Sequence, residues 1–148
     1  MTRSIAAMVL TAGLVLSGGA LAQTLDKVVK VGSLGDQSGL YQDIGGPGSS
    51  VAAQMAIEDS GLLAKGWTIG LISGDHQNKP DVGSGIAKQW IDVDKVDVLV
   101  DLASSGVGLA VANVAKERNV VNLNSGSASS DLTGSQCSPN TVHWVYDT

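Results

Sequence analysis

A single cysteine, Cys137, serves the whole 148-residue chain. One thiol excludes an internal disulfide framework and a cysteine-based zinc site. The only histidines, His76 and His143, stand far apart, so metal-ligand spacing is absent too. No run of basic residues occurs, and 9 Lys and Arg face 14 Asp and Glu. An acidic chain of this kind is a poor match for nucleic acid. Signatures of catalysis are also missing. There is no G-x-x-x-x-G-K-[ST] loop and no G-x-S-x-G nucleophile elbow. Gly106-Val107-Gly108 begins like a dinucleotide fingerprint, but Val111 stands where its third glycine belongs. Asp75-His76 has no serine tied to it by sequence, so no triad is read. Neither a cofactor nor a metal is expected.

Apolar length is concentrated at the start. Ile5–Leu16 is mostly apolar, Arg3 is the only charge before it, and Ala20-Leu21-Ala22 offers an A-x-A cleavage pattern. This predicts a secretory signal peptide over residues 1–22 and a mature chain from Gln23. The run is too short to span a bilayer stably. Nothing after it is a transmembrane candidate. The mature part, residues 23–148, is long enough for one compact domain.

Short apolar runs then alternate with helical patterns. The runs are Val28–Leu34, Trp67–Ile72, Val96–Leu102 and Val120–Leu123, with a short fifth across Val142–Tyr146. Between them, Val51, Ala52, Met55 and Ala56 form one helical stripe. Val82, Ile86 and Trp90 form a second, and Val107, Ala110, Val111, Val114 and Ala115 a third. Pro47 and Pro80 suit first helical turns. Alternating strand and helix predicts an α/β fold, a doubly wound parallel sheet with helices on both faces. The nearly continuous apolar runs agree, since such strands are covered on both sides. No internal repeat, low-complexity run or linker interrupts the pattern. The chain stops at Thr148 inside or just after a strand, which reads as a truncated sequence, and Cys137 leaves its partner to be sought outside it.

Ligands bind such sheets at the carboxyl ends of the strands, where the loops are small and hydroxyl-bearing here. Ser104-Ser105-Gly106 opens the third helix, and a helix start offers unpaired N–H groups and a positive dipole end suited to a carboxylate. A serine there also serves as an ordinary helix cap. Asn124–Ser130 follows the fourth run, where small residues let backbone amides approach a ligand. The long Gly35–Gly46 loop carries Tyr41, which is either a pocket wall or a packing residue. Asp75-His76-Gln77-Asn78-Lys79 is polar and reads as a solvated turn.

Taken in order, these stretches resemble the substrate-binding proteins of ABC transporters, specifically the branched-chain amino-acid (Leu/Ile/Val-binding) type of periplasmic binding protein. The resemblance rests on Val31-Gly32-Ser33-Leu34 with Ser38-Gly39, on Gly45-Gly46-Pro47-Gly48 with Ala56-Ile57-Glu58-Asp59, and on Asp75–Lys79. Ser104-Ser105 and Asn124-Ser125-Gly126 through Asp131-Leu132-Thr133 continue it. It covers the whole mature chain. The resemblance implies the first part of the N-terminal lobe of a two-lobe receptor, with flavodoxin-like strand order 2-1-3-4-5. It implies ligand contacts from Ser104, Ser105, Gly126, Ser127 and Ala128, with Tyr41 as a further wall. Leucine-binding relatives often carry threonine where Ala128 stands, so an amino-acid ligand loses one possible ammonium partner. The Asp75–Lys79 loop and the Cys137–Trp144 run look like a branch whose ligands include aromatic compounds and non-amino-acid acids. The partners implied are a small-molecule ligand and ABC permease subunits in the inner membrane, with the receptor a periplasmic monomer and not an enzyme. Two other classes share the sheet, a ligand-sensing regulator and a secreted hydrolase. The leader argues against the first and the missing elbow against the second.

Export gives the first test. Secreted protein is expected to begin at Gln23 by N-terminal sequencing, and recovery of Met1–Ala22 in the membrane fraction would contradict the leader assignment.

Overall fold

The computed structural model describes residues 26–148. The leader and the expected start at Gln23 lie outside them. Five strands follow one another in the chain: β1 (Val28–Gly35), β2 (Thr68–Asp75), β3 (Val98–Asp101), β4 (Val121–Asn124) and β5 (Thr141–His143). They form one sheet in the order β2-β1-β3-β4-β5, and every pairing is parallel. That is the order the family resemblance implies. The helices are α1 (Gln42–Gly45), α2 (Pro47–Asp59), α3 (Pro80–Gln89) and α4 (Ser105–Arg118). Pro47 and Pro80 each sit in a first turn, where a missing N–H costs nothing.

Strand boundaries differ from the sequence reading, most of all in β2 and β3. β2 continues through Ser73-Gly74-Asp75 because those residues still find partners along β1: Ser73 pairs with Ser33, Gly74 with Leu34 and Asp75 with Gly35. β3 begins late because the Val96 N–H bonds back to the Trp90 carbonyl at 3.0 Å. It ends at Asp101, where the backbone turns to positive φ.

The core lies between the sheet and the α3–α4 layer. Leu34, Leu99, Leu102, Val107 and Val111 are fully buried there. Ile86 packs against them, as the second helical stripe predicts. Trp90 follows α3 in a π-helical turn, Trp90–Asp94. Its ring lies flat on two glycines of neighbouring strands: a Cβ at Gly32 would meet Cε3 at 2.6 Å, and one at Gly74 would meet Cζ2 at 2.7 Å. The pairing of Leu34 with Gly74 and of Gly32 with Ile72 puts these positions on one face.

The stripe expected on α2 is not the face that meets the sheet. Val51 is 58% exposed and Met55 is 56% exposed. Contact is made instead through Ser50, whose hydroxyl lies 3.1 Å from that of Ser33 on β1 and 2.8 Å from that of Ser73 on β2. Two serines one strand apart thus rotate α2 so that a polar seam faces inward.

A double-mutant cycle tests the Trp90 contact. Trp90→Ala should cost about 3–5 kcal/mol of stability by cavity formation. Gly32→Ala should cost about 1–3 kcal/mol by overpacking. The added methyl fits the space left by the ring, so the double mutant should lose at least about 0.5 kcal/mol less than the sum. Additive losses in urea titrations would break the contact.

Candidate functional site

Strands β2 and β3 flank β1 on opposite sides, so the loops at the carboxyl edge part between β1 and β3. The loops around this switch point hold the expected residues. The loop after β1 is tied down by two carboxylates. Asp36 is fully buried and accepts the N–H groups of Gly39 and Tyr41 at 2.9 and 2.8 Å. Asp75 accepts the Gln37 N–H at 2.9 Å, the Gln77 N–H at 2.8 Å and the Ser38 hydroxyl at 2.6 Å. Partial desolvation pushes the Asp75 carboxyl up, but these hydrogen bonds, from Ser38 foremost, outweigh it and hold the group below its ordinary value. Tyr41 is half-buried, and its backbone carbonyl receives the N–H of Gly45 at 2.8 Å.

The start of α4 and the loop after β4 meet directly. Ser104 is the residue before the first turn, 7% exposed, and its side chain makes no capping hydrogen bond. The simple cap reading of Ser104 therefore fails. The Ser105 hydroxyl accepts the Ala128 N–H at 3.1 Å. Ser127 is fully buried, and its hydroxyl donates to the Leu102 carbonyl at 2.6 Å. Asn124 arranges this turn: its Oδ1 accepts the Ser127 N–H at 2.9 Å and its Nδ2 donates to the Ser127 hydroxyl at 3.0 Å. Gly126 is required by a close approach, since a Cβ there would stand 2.6 Å from the Ala103 Cα. Gly45, after β1, also abuts Ala103. Ser104, Ser105, Gly126, Ser127 and Ala128 thus form one cluster, and the loop holding Tyr41 borders it through Gly45. The phenol of Tyr41 makes no hydrogen bond to that cluster among the described residues.

Sequence reasoning missed Asp101. Asp97 and Asp101 are the two carboxylates inside the third apolar run, and those interruptions were the available signal. Strict alternation along β3 would place Asp101 beside Leu99, in the core. Instead Asp101 and Leu102 adopt φ of 85° and 70°. Leu102 turns into the core, and the Asp101 carboxyl turns to the α2 face, where Oδ2 lies 2.9 Å from the Cβ position of Gly35. Only 6% of Asp101 is exposed, and Oδ2 has no hydrogen-bond partner among the described residues. Burial pushes its pKa up to about 7, against a smaller opposing pull from the Ser49 hydroxyl. His76, after β2, is fully buried as well. Its Nδ1 accepts the Asn78 N–H at 3.0 Å, so Nε2 carries the proton, without a partner. Burial lowers the His76 pKa, against the pull of Asp36 and Asp75. Among the described residues no group of three His, Cys, Asp or Glu is placed to hold a metal.

The sequence matches the periplasmic binding protein family over residues 28–148. The chain belongs to that family. Among solved structures, it is 40% identical to a periplasmic binding protein from Burkholderia mallei, covering 82% of this chain and 32% of that one, with a TM-score of 0.76. It is 37% identical to a branched-chain amino-acid ABC transporter periplasmic ligand-binding protein from Burkholderia xenovorans, covering 80% and 32%, with a TM-score of 0.76. A solute-binding protein from Rhodopseudomonas palustris, solved with 3,4-dihydroxybenzoic acid, shares the fold at 24% identity, with coverage of 82% and 33% and a TM-score of 0.71. The chain therefore spans about a third of the length of the structures it matches. No match was found among curated proteins.

Asp101 makes stability depend on pH. A carboxyl whose folded-state pKa is raised contributes stability that is full below its unfolded value, 3.8, and lost as pH rises through about 7. Asp101→Asn removes that loss, and asparagine tolerates positive φ. The variant should be more stable than the parent at pH 8 by about 2–4 kcal/mol, with little difference at pH 4. Equal stability difference at both pH values in thermal melts would show that Asp101 titrates normally.

Proposed function

We propose that this chain is the first part of the N-terminal lobe of a periplasmic solute receptor serving an ABC importer. The mature protein begins at Gln23 after its leader is removed. It captures a small carboxylate-bearing solute between two lobes, closes over it and docks on permease subunits in the inner membrane. It performs no chemistry on the ligand and acts as a monomer.

One observation carries this reading: the start of α4 and the loop after β4 meet at the switch point, with the Ser104 hydroxyl not used as a cap. The first-turn amides of α4 and the Ser104 hydroxyl suit a carboxylate. Hydrogen bonds to a charged group are worth about 1.5–3 kcal/mol each, more than the helix dipole alone at about 0.3–1 kcal/mol. Ser105 supports the site by holding Ala128, while Gly126 and Ser127 set the backbone on the opposite wall. Tyr41 supplies an aromatic side. Ala128 brings no hydroxyl for an ammonium group, which favours an aromatic or other organic acid over an amino acid. Solved relatives hold 3,4-dihydroxybenzoic acid in one case and isoleucine in another.

Calorimetry on the full-length protein decides. With 3,4-dihydroxybenzoate and isoleucine as probes, at least one should bind, the aromatic acid more tightly. Ser104→Ala should weaken binding by about 1–3 kcal/mol with the fold intact. Unchanged affinity would reduce Ser104 to a structural residue. An inert full-length protein toward amino acids and organic acids alike would sink the receptor reading.

A further inference from the structure

Asp101 is a buried titratable group that solute capture does not use, and it lies directly behind the crevice. A Cβ at Gly35 would stand 2.9 Å from its Oδ2, and one at Gly45 would stand 3.4 Å from its Oδ1. Gly45 also abuts Ala103, the residue before Ser104. The same glycine therefore lies against the carboxyl and against the entry to α4. Ser104 follows Asp101 by three residues, a stretch of at most about 10 Å. No cation faces this carboxyl among the described residues. On α2 the nearest polar group is the Ser49 hydroxyl, while Glu58 and Asp59 stand at the far end of the helix. On β1, Lys30 lies near the opposite end of the strand, where its Nζ donates to the Asp94 carbonyl. Asp36 has its oxygens taken by the Gly39 and Tyr41 N–H groups, and Asp43 on α1 is exposed. After β2, Asp75 is held by Gln37, Gln77 and Ser38, and the ring of His76 is bonded to the Asn78 N–H. Asn124 and His143 share the cross-strand row of Asp101, but both turn to Ser127. Burial without a counter-charge leaves the Asp101 carboxyl poised near neutral pH, with its pKa pushed up to about 7.

We infer that Asp101 couples solute capture to a proton: when an anionic solute settles on the first turn of α4, the carboxyl behind Gly45 gains a proton from solvent. Two like charges on the order of 10 Å apart, at an effective dielectric constant of about 20, repel enough to weaken binding about 10-fold. Protonation removes one of them, so the neutral carboxyl favours the anion. The bond formed is O–H on Asp101, and the buffer gives up the proton. Affinity is therefore full below the pKa of the free protein, near 7, and falls as pH rises through it until the pKa of the complex is passed. This coupling rests on the receptor reading and adds to it a residue that never touches the solute.

Calorimetry on the full-length protein tests it, with 3,4-dihydroxybenzoate and isoleucine as probes. For whichever probe binds, affinity should fall at least about 3-fold between pH 5.5 and pH 8. The aromatic acid should lose more, since the isoleucine ammonium offsets part of the repulsion. Titrations at pH 7.5 in two buffers of different ionisation enthalpy should show uptake of about 0.3 proton or more per solute. His76 or His143, on gaining a proton, would give a dependence of the same sign, so a variant decides. Asp101→Asn cannot titrate, and asparagine tolerates positive φ. It should take up no proton and bind as tightly at pH 8 as at pH 5.5. Ser49→Ala removes the hydroxyl that favours the charged form, so its affinity should begin to fall at a higher pH than that of the parent. Flat affinity in the parent overturns the coupling, and so does proton uptake that persists in Asp101→Asn. Either result leaves the receptor reading standing. Failure of both probes to bind at any pH, in parent and variant alike, fails the receptor reading and the coupling with it.

Discussion

Everything in this structure hangs on β1 being hydrogen-bonded along both edges. It pairs with β2 over eight positions and with β3 over four. Both pairings are parallel, so each connection must climb back over a face of the sheet, and right-handed crossovers are the rule. Moving from β1 outward to β2 and then back across to β3 sends successive crossovers to opposite faces. Helix α2 therefore lands on one face and α3 and α4 on the other. The loops at the carboxyl edge are parted at the same place. The crevice is a consequence of strand order, before any side chain is considered.

The same periodicity decides what was legible. Short apolar runs alternating with helical patterns located all five strands, and the i, i+3, i+4 spacing on α4 identified Val107, Val111, Val114 and Ala115, all of which are buried. On α2 the pattern misled. Val51 and Met55 are the large apolar residues, yet the helix turns Ser50 to the sheet because Ser33 and Ser73 form a hydrogen-bonding seam there. Hydrophobicity alone does not report a polar partner on another element. The cluster of Ser104, Ser105 and Gly126–Ala128 was readable as small loop residues after strands. Its rigidity was not, because it depends on Asn124 reaching Ser127 and on Gly126 lying against Ala103, which only the folded chain brings together.

Asp101 is where the two surfaces of the sheet communicate. Two successive non-glycine residues with positive φ cost about 1–3 kcal/mol each, and persist only where surroundings over-determine them. Here three hydrogen bonds do so. The Leu102 N–H donates to the Leu34 carbonyl at 3.2 Å, the Ser125 N–H donates to the Asp101 carbonyl at 3.0 Å, and the Ser127 hydroxyl donates to the Leu102 carbonyl at 2.6 Å. The break in alternation sends Leu102 into the core and leaves Asp101 on the opposite face. It also redirects the chain so that Ala103 packs against Gly45 and Gly126 and delivers Ser104 to the switch point. With regular strand geometry through residue 102, Asp101 would lie among Leu34 and Leu99. The strain thus accomplishes two things at once: it moves the carboxyl, still buried, from the apolar core to the α2 face, and it sets the angle at which α4 presents its first turn to the crevice.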